Sequence, residues 1–155
     1  MDNRTKVLFL CTGNSARSQL AEALLRQLAG EQYQAYSAGT EPKPINPFTI
    51  QVLEEIGVST AGLSSKDLSE FLGRQHFTHV IIVCSHAAET CPTVWPGVSG
   101  NVPQVRHMFF DDPAAVTGSA EEKLAAFRQI RDQIKEQLVK FVHEDAATLS
   151  PACSD

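Results

Sequence analysis

The chain has 155 residues, of which 43% are hydrophobic and 20% are charged, and its formal net charge is −5. This length and composition are ordinary for one globular domain that buries a sizeable core. The acidic balance, without any cluster of Lys and Arg, argues against a nucleic-acid-binding protein, and no apolar run approaches the roughly 18 residues of a membrane span.

The N-terminus and the cysteines indicate a cellular compartment. Residues 1–6 lead directly into an apolar run and leave no room for a signal peptide, so we expect a cytoplasmic protein and, by default, a monomer. Four cysteines in such a chain favour catalysis, redox chemistry or metal binding over structural disulfides. Zinc ligation by Cys84 and Cys91 with His86 or His107 matches no common zinc-finger spacing, so we predict no metal site.

The first half of the chain predicts two strands, each followed by a helix. The first strand is a near-continuous apolar run, as in a buried parallel strand, and apolar residues at helical spacing follow it up to Gly30. Asn46 is predicted to cap the second helix, because Pro47 suits the first helical position. The predicted elements are a strand over 5–11, a helix over 16–29, a strand over 33–37 and a helix over 47–57.

The second half predicts two more strands and a long helix. Pro103 suggests that the fourth strand lies at an edge of the sheet, and Ser119 and Glu122 have the spacing of a capping box. The predicted elements are one or two helical turns over 67–72, a strand over 79–84, an irregular segment over 85–100, a strand over 102–110, a long helix with an apolar stripe that ends before 144, and a frayed tail over 144–155.

Alternating strands and helices predict an α/β fold. We expect a single domain over 1–143 with a four-stranded parallel sheet and helices on both faces. Ligands in such sheets bind beyond the C-terminal ends of the strands, where Cys11, Cys84 and Asp112 are predicted to lie. Each has a simpler explanation, a thiol that ends a buried strand or an Asp-Pro turn, but their coincidence at one edge favours a functional site.

The segment from Cys11 to Ser18 is predicted to be an anion-binding loop between the first strand and the first helix. Such a loop directs backbone N–H groups inward, and the helix N-terminus adds about half a positive charge. Arg17 supplies a planar guanidinium that suits a tetrahedral oxyanion. Because the same field would stabilise the Cys11 thiolate, we expect a pKa below the usual value and a nucleophile that faces a phosphate-like substrate.

Taken together, the motifs of this chain resemble those of the thioredoxin-coupled arsenate reductases. That family shares the fold of the low-molecular-weight protein tyrosine phosphatases, which implies a parallel sheet in flavodoxin-like order with the phosphatase-type anion loop after the first strand. The resemblance covers nearly the whole chain, from about residue 6 to residue 141. The motifs that carry it are the loop from Cys11 to Ser18, Ser37-Ala38-Gly39, the segment from Cys84-Ser85 to Cys91-Pro92, and Phe110-Asp111-Asp112-Pro113.

The resemblance implies that Cys11 attacks arsenate to give a covalent adduct. Asp112 resembles the general acid that protonates the leaving oxygen, and Ser18 resembles the hydroxyl that hydrogen-bonds the Cys11 thiolate. The loop residues that would bind arsenate, or phosphate as its analogue, are Thr12, Gly13, Asn14, Ser15, Ala16 and Arg17.

The resemblance also implies a relay that carries the oxidation outward. Cys84 attacks Cys11 and releases arsenite, and Cys91 then attacks Cys84, so that thioredoxin reduces a Cys84–Cys91 disulfide and no cofactor is bound. In a rigid helix these two residues would have Cα atoms about 10 Å apart, whereas a disulfide requires roughly 7 Å or less. We therefore expect the segment from about 85 to 100 to bend or melt during turnover.

Two features of the family pattern leave questions open. Many relatives carry a cysteine where this chain has Ala16, a position outside the three-thiol relay. In some relatives a monovalent cation lies behind the loop. Asn14, Glu22, Ser37 and Asp67 stand at the corresponding places, but each has an ordinary capping or surface explanation, so we make no prediction about a cation in either direction.

The main alternative is a low-molecular-weight protein tyrosine phosphatase, which needs only Cys11, Arg17 and Asp112. Ala114-Ala115 replaces the aromatic residues of a phosphotyrosine slot, Gln19 replaces a usual proline, and the later cysteines would have no role. Slow phosphatase activity is still expected from the shared loop. A non-enzymatic oxyanion-binding or redox-sensing module is a further alternative. We assign no chemistry to Cys153, which lies in the tail, or to four histidines that we expect at the surface, His79, His86, His107 and His143.

Overall fold

The sheet has the predicted parallel topology. The structure is a computed structural model that describes residues 4–71, 76–84 and 104–149, with side chains as far as 145 in the last helix. Every neighbouring pair of strands is parallel and the order is β2-β1-β3-β4, which confirms the single-domain α/β class and the flavodoxin-like order. The strands are β1 (Thr5–Cys11), β2 (Tyr33–Gly39), β3 (His79–Ile82) and β4 (Gln104–His107).

Three long helices and two short 3₁₀ turns accompany the sheet in the described residues. Asn46 caps the second helix as predicted, since its side-chain oxygen accepts a 2.9 Å hydrogen bond from the Phe48 amide. In these parts of the chain, no helix combines the length and the apolar character needed to cross a membrane. The helices are α1 (Arg17–Ala29), α2 (Pro47–Glu55) and α3 (Ala120–Leu149), and the 3₁₀ turns are Leu68–Glu70 and Pro113–Ala115.

The core is centred on β1. Its residues from Val7 to Leu10 are 0% exposed, so both faces of this strand are covered, which explains why the sequence shows a continuous apolar run there. α1 packs on β1 and β2, and α3 packs on α1 and α2. On the other face of β2, Tyr36 contacts Phe71 and Phe77 edge to face, with ring centroids 5.6 and 5.4 Å away.

The prediction that the chain frays from residue 144 is wrong for 144–149. Helix α3 continues to Leu149, and Asp145 fastens its last turns to the start of the sheet. The Asp145 carboxylate accepts a hydrogen bond from the Tyr33 hydroxyl on β2 and lies 3.2 Å from His79 Nε2 on β3. His79 is therefore 6% exposed rather than a surface residue, and burial lowers its pKa although the Asp145 charge opposes that shift.

Candidate active site

The carbonyl groups of residues 11–16 in the anion loop all accept hydrogen bonds on the side away from its concave face. The carbonyls of Cys11, Thr12 and Gly13 accept 3.2, 2.8 and 2.8 Å hydrogen bonds from the amides of 40, 41 and 43 in the loop after β2. The Asn14 carbonyl accepts from Gln19 Nε2 at 2.9 Å. The carbonyls of residues 15 and 16 accept from the amides of 46 and 20, at 3.0 and 2.8 Å.

This arrangement fixes the direction of the loop amides. In a planar trans peptide the N–H points opposite to the C=O, so carbonyls that are bound outward leave the following N–H groups directed inward. The start of α1 adds more unsatisfied donors, because Ala16 provides no side-chain cap and the first turn has no acidic residue. The loop and the helix N-terminus together form a cradle suited to an anion.

Asn14 holds the loop from behind. It has a left-handed conformation with φ of 50°, is 0% exposed, and accepts a 2.7 Å hydrogen bond from the Lys66 amide through Oδ1. Its Nδ2 donates to the Ser18 hydroxyl at 2.8 Å. Among the described residues no hydrogen bond joins Ser18 to Cys11, so the observed partner of Ser18 is Asn14 rather than the thiolate that the resemblance implied.

Glu22 is a buried carboxylate beneath this loop, not a surface residue. It is 2% exposed, accepts a 2.5 Å hydrogen bond from the Ser37 hydroxyl, and is paired with Arg26. The Lys66 ammonium lies 3.9 Å from it. Asp67, by contrast, caps the turn Leu68–Glu70, as its ordinary explanation predicted. Two cations of the chain itself therefore balance the Glu22 charge.

Arg17, at the start of α1, lines the cavity, and its side chain is held by residues 110 and 112 on the opposite side of the site. Its Nη1 donates to the Phe110 carbonyl at 3.1 Å, and its Nη2 lies 3.7 Å from an Asp112 oxygen. Its Nε is buried and has no hydrogen-bond partner among the described residues. A buried donor without a partner is costly, and an oxyanion in the cradle would satisfy it.

Asp112 is brought to the same cavity as Cys11 and Arg17, as predicted. The cavity has a volume of about 590 Å³, and its wall also includes Lys43 and Pro44 from the loop after β2. Asp112 also accepts a 2.9 Å hydrogen bond from the Ala114 amide, so the turn-forming explanation and the functional one hold together. Its side chain is 43% exposed, which leaves the carboxyl accessible to solvent.

Cys84 lies next to Cys11, although the two are 73 positions apart in the sequence. Val83 continues the pairing of β3 with β1 through a 2.9 Å hydrogen bond to the Leu10 carbonyl, and this places Cys84 beside the anion loop. The Thr12 hydroxyl is 3.3 Å from Cys84 Sγ. Both cysteines are buried thiols, each 3% exposed.

The predicted direction of the Cys11 pKa is wrong in this arrangement. The pKa of Cys11 is raised, first by the hydrogen bond to the Cys84 side chain and then by burial. The Arg17 charge and the Thr12 amide act in the opposite direction but do not outweigh these effects. Two adjacent thiols titrate as a unit, and the charge left by the first ionisation opposes the second.

Parts of the sequence-based prediction fall outside the described residues. Cys91, Cys153 and the expected bending segment over 85–100 lie there, so the Cys84–Cys91 disulfide stays a prediction. Within the described ranges, no group of three or more His, Cys, Asp or Glu side chains could hold a metal ion.

Gly39 and Lys43 contribute to the site without having been predicted. A Cβ on Gly39 would lie 2.6 Å from the Thr12 carbonyl oxygen and 3.0 Å from Asn14, so only glycine permits this close approach of β2 to the loop. The only signal for Gly39 was its place in a family motif. For Lys43, the sequence offered one signal of a role at the site, which is that this basic residue lies in the proline-rich loop after the second strand.

Comparisons with known proteins agree with this geometry. Residues 6–150 match the family described as low molecular weight phosphotyrosine protein phosphatase. The arsenate reductase of Halalkalibacterium halodurans is 38% identical over 139 residues, which cover 90% of this chain and 96% of that relative.

Solved structures extend the similarity to the fold. An arsenate reductase in the phosphate-binding state has a TM-score of 0.72 and 26% identity, covering 90% of this chain and 98% of that chain. A thioredoxin-dependent arsenate reductase of Corynebacterium glutamicum has a TM-score of 0.64 and 26% identity, covering 91% of this chain and 63% of that chain. The resemblance in the sequence is confirmed: the chain belongs to the low molecular weight phosphotyrosine protein phosphatase family, in the branch that contains the arsenate reductases.

Proposed function

We propose that this protein reduces arsenate to arsenite through three cysteines and is regenerated by thioredoxin. The observation that carries the proposal is the second thiol, Cys84, beside Cys11 in the oxyanion site. Hydrolysis of a phosphoester needs one nucleophilic thiol, whereas reduction of arsenic needs a second sulfur to complete the electron transfer. The relatives described above, named as arsenate reductases, support the same conclusion.

In the first step, the Cys11 thiolate attacks the arsenic atom of arsenate. The inward amides and the Arg17 guanidinium stabilise the charge on the remaining oxygens. One As–O bond breaks, and Asp112, at the wall of the cavity, supplies the proton with which that oxygen leaves as water. The raised pKa of Cys11 does not prevent this step, because the Cys11–Cys84 pair has to lose only one proton for Cys11 to attack arsenic. Cys84 needs to ionise only later, after Cys11 has bonded arsenic.

In the second step, the Cys84 thiolate attacks the Cys11 sulfur. A Cys11–Cys84 disulfide forms while the S–As electron pair passes to arsenic, so the two sulfurs are oxidised and arsenic(V) becomes arsenic(III). The Thr12 hydroxyl, 3.3 Å from Cys84 Sγ, is placed to donate to that sulfur as it becomes a thiolate. Ser18 contributes indirectly, because its hydroxyl accepts a hydrogen bond from Asn14 and so helps to hold the anion loop in place.

In the third step, Cys91 attacks the Cys84 sulfur and regenerates the Cys11 thiolate. The Cys84–Cys91 disulfide then accepts two electrons from the thioredoxin dithiol. The thioredoxin-dependent relative of Corynebacterium glutamicum supports this choice of reductant. A monomer in the cytoplasm, where thioredoxin keeps thiols reduced, is part of the same proposal.

The proposal is tested by arsenate-dependent NADPH consumption in the presence of thioredoxin and thioredoxin reductase. We expect Cys11→Ser, Cys84→Ser and Cys91→Ser each to abolish multiple turnover. Cys91→Ser should accumulate one equivalent of a Cys11–Cys84 disulfide per chain, detectable by mass spectrometry. Cys153→Ser, the matched control, should retain full activity. Sustained turnover by Cys91→Ser with thioredoxin would show that thioredoxin reduces the Cys11–Cys84 disulfide directly, and turnover only after glutathione and glutaredoxin are added would show that the relay ends on glutathione.

A slow phosphatase activity follows from the same cavity, because Cys11, Arg17 and Asp112 line it together. On an aryl phosphate, Cys11→Ser should lose this activity while Cys84→Ser and Cys91→Ser keep it. A wild-type protein that hydrolyses the aryl phosphate but does not reduce arsenate would make the phosphatase the main function.

A further inference from the structure

Lys43 is the one amine on the described wall of the oxyanion cavity. It belongs to the loop after β2, and its backbone N–H donates a 2.8 Å hydrogen bond to the Gly13 carbonyl. The backbone of Lys43 is thus fixed to the anion loop itself. Its position relative to the cradle is set by the same hydrogen bonds that turn the loop carbonyls outward.

The side chain of Lys43 lies along the loop. A Cβ built on Gly13 would be 3.7 Å from Cδ and 3.9 Å from Cβ of Lys43, which is ordinary van der Waals distance. The aliphatic stem therefore lies against Gly13, and the exposed side chain forms part of the cavity wall, so its ammonium charge acts on an ion that enters the cavity.

The other charged side chains of the cavity wall largely cancel one another, so the Lys43 ammonium decides the charge that an approaching anion meets. The cavity wall carries three charged side chains, Arg17, Asp112 and Lys43. Arg17 and Asp112 have opposite charges only 3.7 Å apart, so their fields largely cancel for an approaching ion. With Asp112 ionised and Cys11 a neutral thiol, as before a substrate binds, Lys43 gives the described wall one net positive charge, on a chain whose net charge is −5.

We propose that Lys43 is a substrate-recruiting residue that gives the cavity its affinity for multiply charged tetrahedral oxyanions. It acts by the long-range attraction of its own positive charge, whereas Arg17 and the loop amides bind the oxyanion directly. The inference rests on the proposed function only in taking an oxyanion as the substrate. It assigns Lys43 no part in bond making or breaking.

The test separates binding from chemistry. We expect Lys43→Gln to raise KM for arsenate about 5-fold at low ionic strength with kcat unchanged, and Lys43→Glu to raise it further. The Kd for inorganic phosphate, measured by calorimetry, should rise by the same factor. Both differences should shrink at about 0.5 M salt, because screening acts over a few ångströms there. Lys43→Arg should restore the wild-type values.

The matched control is Lys135→Gln on α3, which removes the same charge from an exposed lysine outside the cavity wall. Equal effects of Lys43→Gln and Lys135→Gln would overturn the proposal, as would a fall in kcat with KM unchanged. Phosphate binding also keeps the inference distinct from the proposed function. If the wild type binds phosphate in a Lys43-dependent way but does not reduce arsenate, the reductase assignment fails while recruitment by Lys43 stands.

Discussion

Asp145 offers a direct test of how the last helix is held on the sheet. In Asp145→Ala, the Tyr33 hydroxyl and His79 Nε2 both lose their carboxylate partner. The Asp145 and His79 side chains are 11% and 7% exposed, so water replaces the lost partner poorly. A hydrogen bond to a charged group contributes about 1.5–3 kcal/mol, and with some relaxation of the helix end we expect a total loss of about 3 kcal/mol.

The assay is equilibrium unfolding in urea together with thermal unfolding. For a chain of this size, about 3 kcal/mol corresponds to a fall in Tm of roughly 6–12 °C. Glu144→Ala is the matched control, since its ion pair with Arg106 has side chains 62% and 42% exposed, and it should cost at most about 1 kcal/mol. If the two variants lost equal stability, Asp145 would not fasten α3 to the sheet.

Three other predictions follow from the same geometry. Gly39→Ala places a methyl group 2.6 Å from the Thr12 carbonyl oxygen, so it should weaken phosphate binding by at least about 10-fold, as calorimetry can measure; unchanged binding would contradict the required close approach. Burial lowers the pKa of His79, so the stability that its neutral side chain contributes is present above about pH 6.5 and is lost as the pH falls below that value. The free energy of unfolding in urea should therefore depend less on pH between about 7 and 5 in His79→Gln than in the wild type, and an equal pH dependence in the two proteins would refute the prediction. Cys84→Ala removes the largest cause of the raised pKa of Cys11, so alkylation of Cys11 by iodoacetamide at neutral pH should accelerate, and a slower reaction would mean that Cys84 activates Cys11.

Local patterns were sufficient to predict the elements that build the site. The apolar run over 5–11 and the loop from Cys11 to Ser18 gave the correct strand, turn and helix, because burial and backbone geometry act there over a few residues. The placement of Cys84 near Cys11 also followed, since parallel strands end at a common edge.

What the sequence did not predict depends on distances across the fold. The pKa of Cys11 is raised because Cys84 lies within hydrogen-bond reach, and a loop pattern alone contains only the opposing attraction of Arg17. Similarly, Asp145 resembles part of a polar tail in the sequence, because its partners Tyr33 on β2 and His79 on β3 are distant along the chain and meet it only in the fold. Glu22 looked like a surface residue because its cationic partners include Lys66, which is 44 positions away.

The outward-bound carbonyls of the anion loop have a consequence for which ions the protein can distinguish. A cradle whose peptide groups are already fixed before a ligand arrives resists widening, because each peptide that turned would break a hydrogen bond to the neighbouring segments. Flat anions such as nitrate and carbonate would leave some of the converging N–H donors without an acceptor. The loop should therefore sort ions by their three-dimensional shape, and anions of the same shape would be told apart only by how readily their central atom accepts electrons from sulfur.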